Sequence, residues 1–585
     1  MFEIKAKDGL GRIGKLKINK KSIETPTLMP VINPNKIVIA PKDMADYGAE
    51  IIITNSYIIY RTNKLKEAAL EKGIHKMLDF NGVIETDSGS FQMAAYGDIE
   101  IENKEILQFQ KDIGVDIGTF LDIPTHPDSS YQKTLSDLEI TLERAREAVE
   151  FDLNLNGTVQ GGTHLDLRKK SAAEMSNLPF TVNPIGGVVP LMMEYRFSDL
   201  VDVILTVKGT LSPARPVHLF GAGHPMLLSL SVLLGCDLFD SAAYVLYAQD
   251  SRYLTSYGTK KLNEMKYLPC NCPVCRKYTP QELINESETK RLELLSSHNL
   301  YATFEELKII KEAIHEGTLF ELVETRIRSH PRLLLAYRKI KDYYSLLEEY
   351  DPITKRSALF YTGEESNFRP IVRRTKERTK DLTSKIYEDH LFFGKYPKEL
   401  EFTYPFGQCE MEEERKEKGD PDLTDENTIM VIADYQFGIG VGEKLFHDAV
   451  IKRSKTKMIR YVYDQNGTMI ATLRARDGLF TPNIEGSKRL KEIIPFPKNR
   501  IVVDDEAAPF IKEGANVFSK FVLDMDNTLR AYEEVLIVNS KDELLGTGTL
   551  MLSPREIKAF ERGMAVRTRW GIDKNNSTQE SQIED

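Results

Sequence analysis

The sequence predicts an α/β protein whose first half is a (β/α)8 barrel of the TIM type. Three observations carry that expectation. Strand-like and helix-like segments alternate for about 200 residues with short connections, which implies a parallel sheet and favours a closed barrel over an open one. The glycine-rich phosphate loop usual after the first strand of a doubly wound sheet, the structural alternative, is missing. Acids, amides and glycines collect at the carboxyl ends of the strands, where barrels of this kind keep their chemistry.

The elements follow in order. Residues 2–18 alternate apolar and polar around Gly9 and Gly11 and read as a hairpin. Strands are expected at 51–54, 83–86, 115–121, 157–160, 182–186, 217–220 and 236–239. Helices are expected at 62–72, 103–112 (with Asn103 as its cap), 134–151, 165–176, 198–207 and 225–234.

The ends of these strands read Asn55-Ser56-Tyr57, Asp87-Ser88-Gly89, Asp122, Gln160-Gly161-Gly162, Gly186-Gly187, Gly221-Ala222-Gly223-His224 and Asp240-Ser241. Taken alone, Asp87 has a bland reading as the cap of the next helix, because Asp is a strong N-cap residue. Three carboxylates at one barrel mouth weaken that reading. Their repulsion and desolvation oppose folding unless they have a task.

The bulk properties bound the class. With 585 residues the chain has room for several domains. It is 41% hydrophobic, and its mean hydropathy is −0.34. No apolar run approaches the roughly 20 residues of a membrane helix, and Met1-Phe2-Glu3-Ile4-Lys5 lacks the pattern of a signal peptide. A soluble, cytoplasmic protein without membrane attachment is expected. The net charge of −10 argues against indiscriminate polyanion binding but leaves local basic patches open.

Three of the five cysteines, Cys270, Cys272 and Cys275, precede His298 in a Cys-x-Cys-x2-Cys-x22-His pattern. Three thiolates and an imidazole suit one tetrahedral structural Zn2+, with His315 as the competing fourth ligand. Four protein ligands leave no open position, so the metal is expected to staple a subdomain and take no part in chemistry.

Beyond the barrel, residues 326–341 carry six basic side chains without an acid, and residues 369–380 carry six against one Glu. Each run reads either as a solvated face or as a set of phosphate contacts. Residues 412–420, followed by Pro421, read as a linker. Residues 493–570 read as a compact, mostly β unit, and 574–585 as a polar tail expected to be disordered.

The motifs together resemble the tRNA-guanine transglycosylases, specifically the archaeal, archaeosine-pathway type. The resemblance rests on Thr25-Pro26 with Met29-Pro30-Val31, Thr54-Asn55-Ser56-Tyr57, Asp87-Ser88-Gly89-Ser90-Phe91-Gln92, Val159-Gln160-Gly161-Gly162, Gly186-Gly187, Phe239-Asp240-Ser241 and the Cys/His set. Ile432-Ala433-Asp434-Tyr435-Gln436-Phe437-Gly438 and Arg474-Ala475-Arg476-Asp477-Gly478-Leu479-Phe480 resemble the segments before that family's terminal domain. The resemblance implies a catalytic barrel over 1–345 with a zinc subdomain at about 265–345, small α+β domains at 346–420 and 421–492, an RNA-binding PUA β-barrel at 493–575, and a tail at 576–585.

It also implies exchange of guanine at position 15 of the tRNA D-arm for 7-cyano-7-deazaguanine (preQ0), and a homodimer. By motif, Asp240 corresponds to the nucleophile on the ribose and Asp87 to the acid/base, with an exchange of these two roles left open. Asp122, Gln160 and Gly187 correspond to contacts with the base edge, Phe91 to a stacking ring, and Ser88 and Val188 to further pocket positions. Ile123-Pro124-Thr125 and Val188-Val189-Pro190 stand where bacterial members carry Glu-Cys-Thr and Leu-Ala-Val, which favours an uncharged nitrile over an aminomethyl cation. The competing readings are the amidine-forming synthase of the same pathway and a catalytically inactive RNA-binding paralogue.

The chemistry agrees on its own terms. Displacement at an anomeric carbon passes through an oxocarbenium-like state that a close carboxylate traps, and a second acid must manage the proton of the exchanged base.

Overall fold

The computed structural model describes residues 1–90, 101–410 and 423–573, in two compact units, Met1–Tyr343 and Tyr344–Asp585. The first unit opens with an antiparallel three-stranded sheet, β1 (Phe2–Asp8), β2 (Gly11–Ile18) and β3 (Lys21–Thr25). Eight parallel strands follow: β4 (Thr27–Ile32), β5 (Ile51–Asn55), β6 (Val83–Asp87), β7 (Gly118–Thr119), β8 (Leu155–Asn156), β9 (Asn183–Ile185), β10 (Val217–Leu219) and β11 (Leu238–Ser241).

These strands close a ring. Ladders join β9 to β10, β10 to β11, β11 to β4, β4 to β5, β5 to β6 and β7 to β8. Parallel bridges at Glu85/Ile117, Asn156/Val182 and Val159/Ile185 join the remaining neighbours. The first and last barrel strands therefore meet, with Asp240 opposite Met29. Parallel strands with helices outside are buried on both faces, and β5 is buried at every position.

The amino-terminal end of the ring is covered by the β1–β3 sheet. Arg12 of β2 donates from Nε and Nη2 to the two oxygens of Asp237, both at 2.8 Å, and Asp237 Oδ2 also accepts from Val217 N. Lys21 of β3 reaches Asp116, just before β7, at 3.1 Å. The carboxyl ends of the strands lie opposite.

Several elements differ from the sequence expectation. Strand β4 was not anticipated, because Pro30 interrupts its apolar run and proline argues against a central strand. Strand β7 is shorter than 115–121, and β8 lies at Leu155–Asn156 with only a bridge at Val159. Asn103 does not cap its helix. Glu102 holds that position, and Asn103, the first helical residue, turns inward to accept from Leu121 N at 2.9 Å.

After β11 come a short helix (Ala243–Gln249), a hairpin (Arg252–Thr255 with Gly258–Lys261), the cysteine cluster and the 29-residue helix Glu288–Glu316. A small core of Tyr253, Leu262, Val274, Leu283 and Leu295 holds this insertion together.

The second unit contains a four-stranded antiparallel sheet (Val450–Arg453, Ile459–Tyr463, Met469–Leu473, Phe480–Pro482) with the helices Asp425–Phe437 and Ile484–Ile493. A six-stranded sheet follows, in the order Val517–Phe518, Met564–Gly571, Leu544–Leu550, Glu534–Val538, Arg500–Val503, Val522–Met525. The two basic runs partly serve internal ion pairs. Arg326 grips Glu306 with two arms at 2.8 and 2.9 Å, Arg374 pairs with Glu348 at 2.9 Å, and Arg378 with Glu533 at 2.6 Å. The expected tail at 576–585 lies outside the described residues.

Candidate active site

The carboxyl end of the ring brings together the acids singled out by sequence. Asp87 ends β6, Asp122 follows β7, and Asp240 lies in β11. Asp87 is half-buried. Burial first, then the charges of Asp240 and Glu85, hold it well above the usual carboxylate range; Asp122 adds to this and His218 opposes it. Asp122 is also raised by burial, against hydrogen bonds from Gln160 and Ser90.

Asp240 is anchored through one oxygen. Its Oδ1 accepts from His218 Nε2 at 2.9 Å and from Gly221 N at 2.7 Å. His218 is completely buried, and its other nitrogen lies 3.4 Å from Glu85 Oε1, also completely buried. Acids gathered in a buried site repel unless they share protons or meet a cation. The imidazole of His218 sits between Asp240 and Glu85.

The other side of the mouth is built from amides and glycines. Gln160 donates from Nε2 to Asp122 Oδ2 at 2.6 Å, while its Oε1 is buried with no partner among the described residues. Its backbone N–H donates to Ser171 Oγ at 3.1 Å. Gly187 has φ +69°, and a Cβ there would lie 3.0 Å from Gln160 Oε1 and from the Thr125 carbonyl. Arg168 lies beneath this turn, fully buried, donating to the carbonyls of Gly162 at 2.8 Å and Val159 at 2.7 Å. Ser88 is buried with its hydroxyl 2.9 Å from Ser90 Oγ, and Val188 is buried beside the Gly186-Gly187 turn. Phe91 falls outside the described residues.

Sequence reasoning missed Glu85, Arg168 and His218. Each is an ionisable residue buried in or beneath the ring. An inward-facing charge within an apolar strand was the available signal for Glu85 and His218.

The metal-type cluster is separate from this mouth. One ligand atom from each of Cys270, Cys272, Cys275 and His298 lies within 4.8 Å of the others. His298 Nδ1 is 3.6 Å from Cys272 Sγ and 3.4 Å from Cys275 Sγ. A tetrahedral ion with zinc-like bond lengths needs about 3.5 Å for such an S···N edge. His298 Nε2 meets the Leu254 carbonyl at 3.0 Å, which turns Nδ1 toward the thiols. The donor set therefore fits a metal ion. His315, near the end of the same helix, lies outside the group and faces Glu312 at 3.8 Å.

Comparison with known proteins bears on this arrangement. The family described as queuine tRNA-ribosyltransferase matches residues 7–332, which is more than half of the chain. The chain belongs to the tRNA-guanine transglycosylase family. Within that family, the domain described as the C1 domain of tRNA-guanine transglycosylase dimerisation matches 352–418, the patch-forming domain C2 matches 427–497, and a PUA domain matches 499–572. A Pyrococcus furiosus relative is 54% identical over 580 residues, covering 98% of each chain. A relative from Thermococcus kodakarensis is 52% identical over 98% of this chain and 99% of its own length. One from Methanocaldococcus jannaschii is 46% identical over 98% of this chain and 100% of its own. All three are named tRNA-guanine(15) transglycosylase. Among the described residues, no helix is long and apolar enough to cross a membrane.

Proposed function

We propose that this protein replaces guanine at position 15 of tRNA with 7-cyano-7-deazaguanine by double displacement, an early step toward archaeosine. The observation that carries the division of labour is the unequal treatment of two carboxylates. One oxygen of Asp240 receives two donors, and the other, which has no hydrogen-bond partner among the described residues, is left to attack. Asp87 is half-buried and its pKa is raised, so it is suited to hold a proton.

Asp240 Oδ2 attacks ribose C1′, the bond to guanine N9 breaks, and Asp87 supplies the proton that the leaving base takes up. The incoming base then gives its N9 proton to Asp87 and attacks C1′, and the Asp240–C1′ bond breaks. Two inversions retain the configuration of the nucleoside. Asp122, Gln160 and the Gly187 backbone read the base edge, Ser88 and Val188 line the pocket, and Phe91 stacks on the ring. The base must be extruded from the tRNA to reach the mouth, and the PUA unit supplies RNA-gripping surface for that.

The Cys270, Cys272, Cys275 and His298 set holds one structural Zn2+. The protein works as a homodimer in the cytoplasm. An amidine-forming synthase or an inactive paralogue has no need of the Asp87, Asp122 and Asp240 constellation.

Incubation with unmodified tRNA and radiolabelled guanine tests the reading. Label is expected at position 15, and Asp240→Ala is expected to abolish both exchange and the trapped protein–RNA adduct. Absence of label in tRNA overturns the exchange. An Asp240→Ala protein that still exchanges and still traps overturns the nucleophile.

A further inference from the structure

Below Asp240 the barrel interior carries polar groups that packing does not require. Glu85, Asn156, Asn183 and His218 are each 0% exposed. Glu85 Oε1 accepts from Asn156 Nδ2 at 2.9 Å and lies 3.4 Å from His218 Nδ1. Among the described residues, no Lys or Arg pairs with Glu85. A fully buried carboxylate without a matching cation is strongly disfavoured. The one group placed to match it is the imidazole of His218, whose far side holds Asp240.

We propose that Glu85 keeps His218 as an imidazolium and that His218 is a positioning residue for Asp240, presenting its free oxygen to C1′ and receiving its charge when the covalent bond breaks. The inference rests on the exchange reading above. In the second displacement, N9 of the incoming base forms the new bond to C1′, and its proton goes to Asp87. The electron pair of the broken C1′–O bond returns to Asp240, where the His218 and Gly221 N–H groups already point. No oxidant or further reactant is needed.

The groups facing His218 agree. Glu85 and Asp87 on β6 and Asp240 on β11 are all acids, and the Phe220 ring stands edge-on at 4.6 Å. Burial alone would lower the His218 pKa. Hydrogen bonds and charges from Asp240 and Glu85 outweigh it and push the pKa up to about 9. An imidazolium-dependent activity therefore falls as pH rises through that value. Removing the Glu85 charge lowers the pKa and moves the fall to lower pH.

The test measures guanine exchange from pH 6 to 10 with the full chain and tRNA, alongside thermal melting. Glu85→Gln is expected to move the alkaline limb of kcat down by on the order of one pH unit, leaving the KM for guanine within about twofold. His218→Asn is expected to lower kcat roughly 100-fold and to erase that limb, again without raising the KM for guanine. A limb that belongs to Asp87 instead would persist in His218→Asn and move up, which overturns the proposal. So does a Glu85→Gln profile that superimposes on the unmodified one, or His218→Asn with full kcat. If Glu85→Gln fails to fold, Glu85→Asp is expected to shift the limb in the same direction, and an unshifted limb there overturns the proposal. If the unmodified protein incorporates no label, the exchange reading itself fails, a result distinct from any variant profile.

Discussion

Gln160 reaches Asp122 through space that Gly186 leaves empty: a Cβ on Gly186 would lie 2.2 Å from Gln160 Nε2, which donates to Asp122 Oδ2 at 2.6 Å. Two of the groups proposed to read the base edge are thus aligned by the missing side chain of Gly186. Gly186→Ala is expected to push the amide aside and raise the KM for guanine roughly 100-fold, as displacement of a positioning group by about 1 Å does. Steady-state exchange at varied guanine concentration checks this. A variant with unchanged KM places the amide elsewhere in the bound state.

The cysteine cluster is closed by four protein donors and stands apart from the carboxylates. Cys272→Ser is expected to reduce the bound metal from about one ion per chain to none. It is also expected to lower the melting temperature by several degrees while exchange persists at reduced temperature. Elemental analysis and calorimetry read the two effects. Loss of exchange in a variant that melts normally would give the metal a chemical role.

Asp116 makes a pH-dependent contribution to stability. Burial would raise its pKa, but hydrogen bonds from His75, the Ile84 backbone and Lys21 outweigh that and lower it to about 2. An unfolded Asp titrates near 3.9. Because the folded value is the lower one, the contribution is fully present above about pH 4 and is lost as pH falls toward 2. The stability difference between the unmodified protein and Asp116→Asn is therefore expected to shrink over that window in denaturant titrations, and a difference that stays constant from pH 5 to 2.5 contradicts the assignment.

Most of the barrel was legible because β-branched runs alternate with amphipathic segments and end in polar residues. Strand β4 was not, because Pro30 looks like a strand breaker until its parallel neighbours on both sides are known. Asn103 looked like a cap because local chemistry favours it there, whereas the tertiary hydrogen bond to Leu121 N claims its side chain. Asp87, Asp122, Gln160, Gly187 and Asp240 could be picked out at strand ends. Glu85 and His218 showed only as charges within apolar strands, since their pairing lies in a 3.4 Å approach between strands separated by more than 130 residues of sequence.

The meeting of β4 and β11 also orders events during synthesis. The ribosome delivers Asp87, Asp122, Gln160 and Gly187 on successive strands, while Asp240 emerges on the last strand of the ring and finds its place only against the first. A chain stopped between Gly187 and Leu238 carries the proposed base-reading groups without the proposed nucleophile. With Asp240 as the proposed nucleophile, fragments from interrupted translation are expected to lack the means to strip guanine from tRNA, and the ability to attack RNA is expected to arrive with closure of the ring.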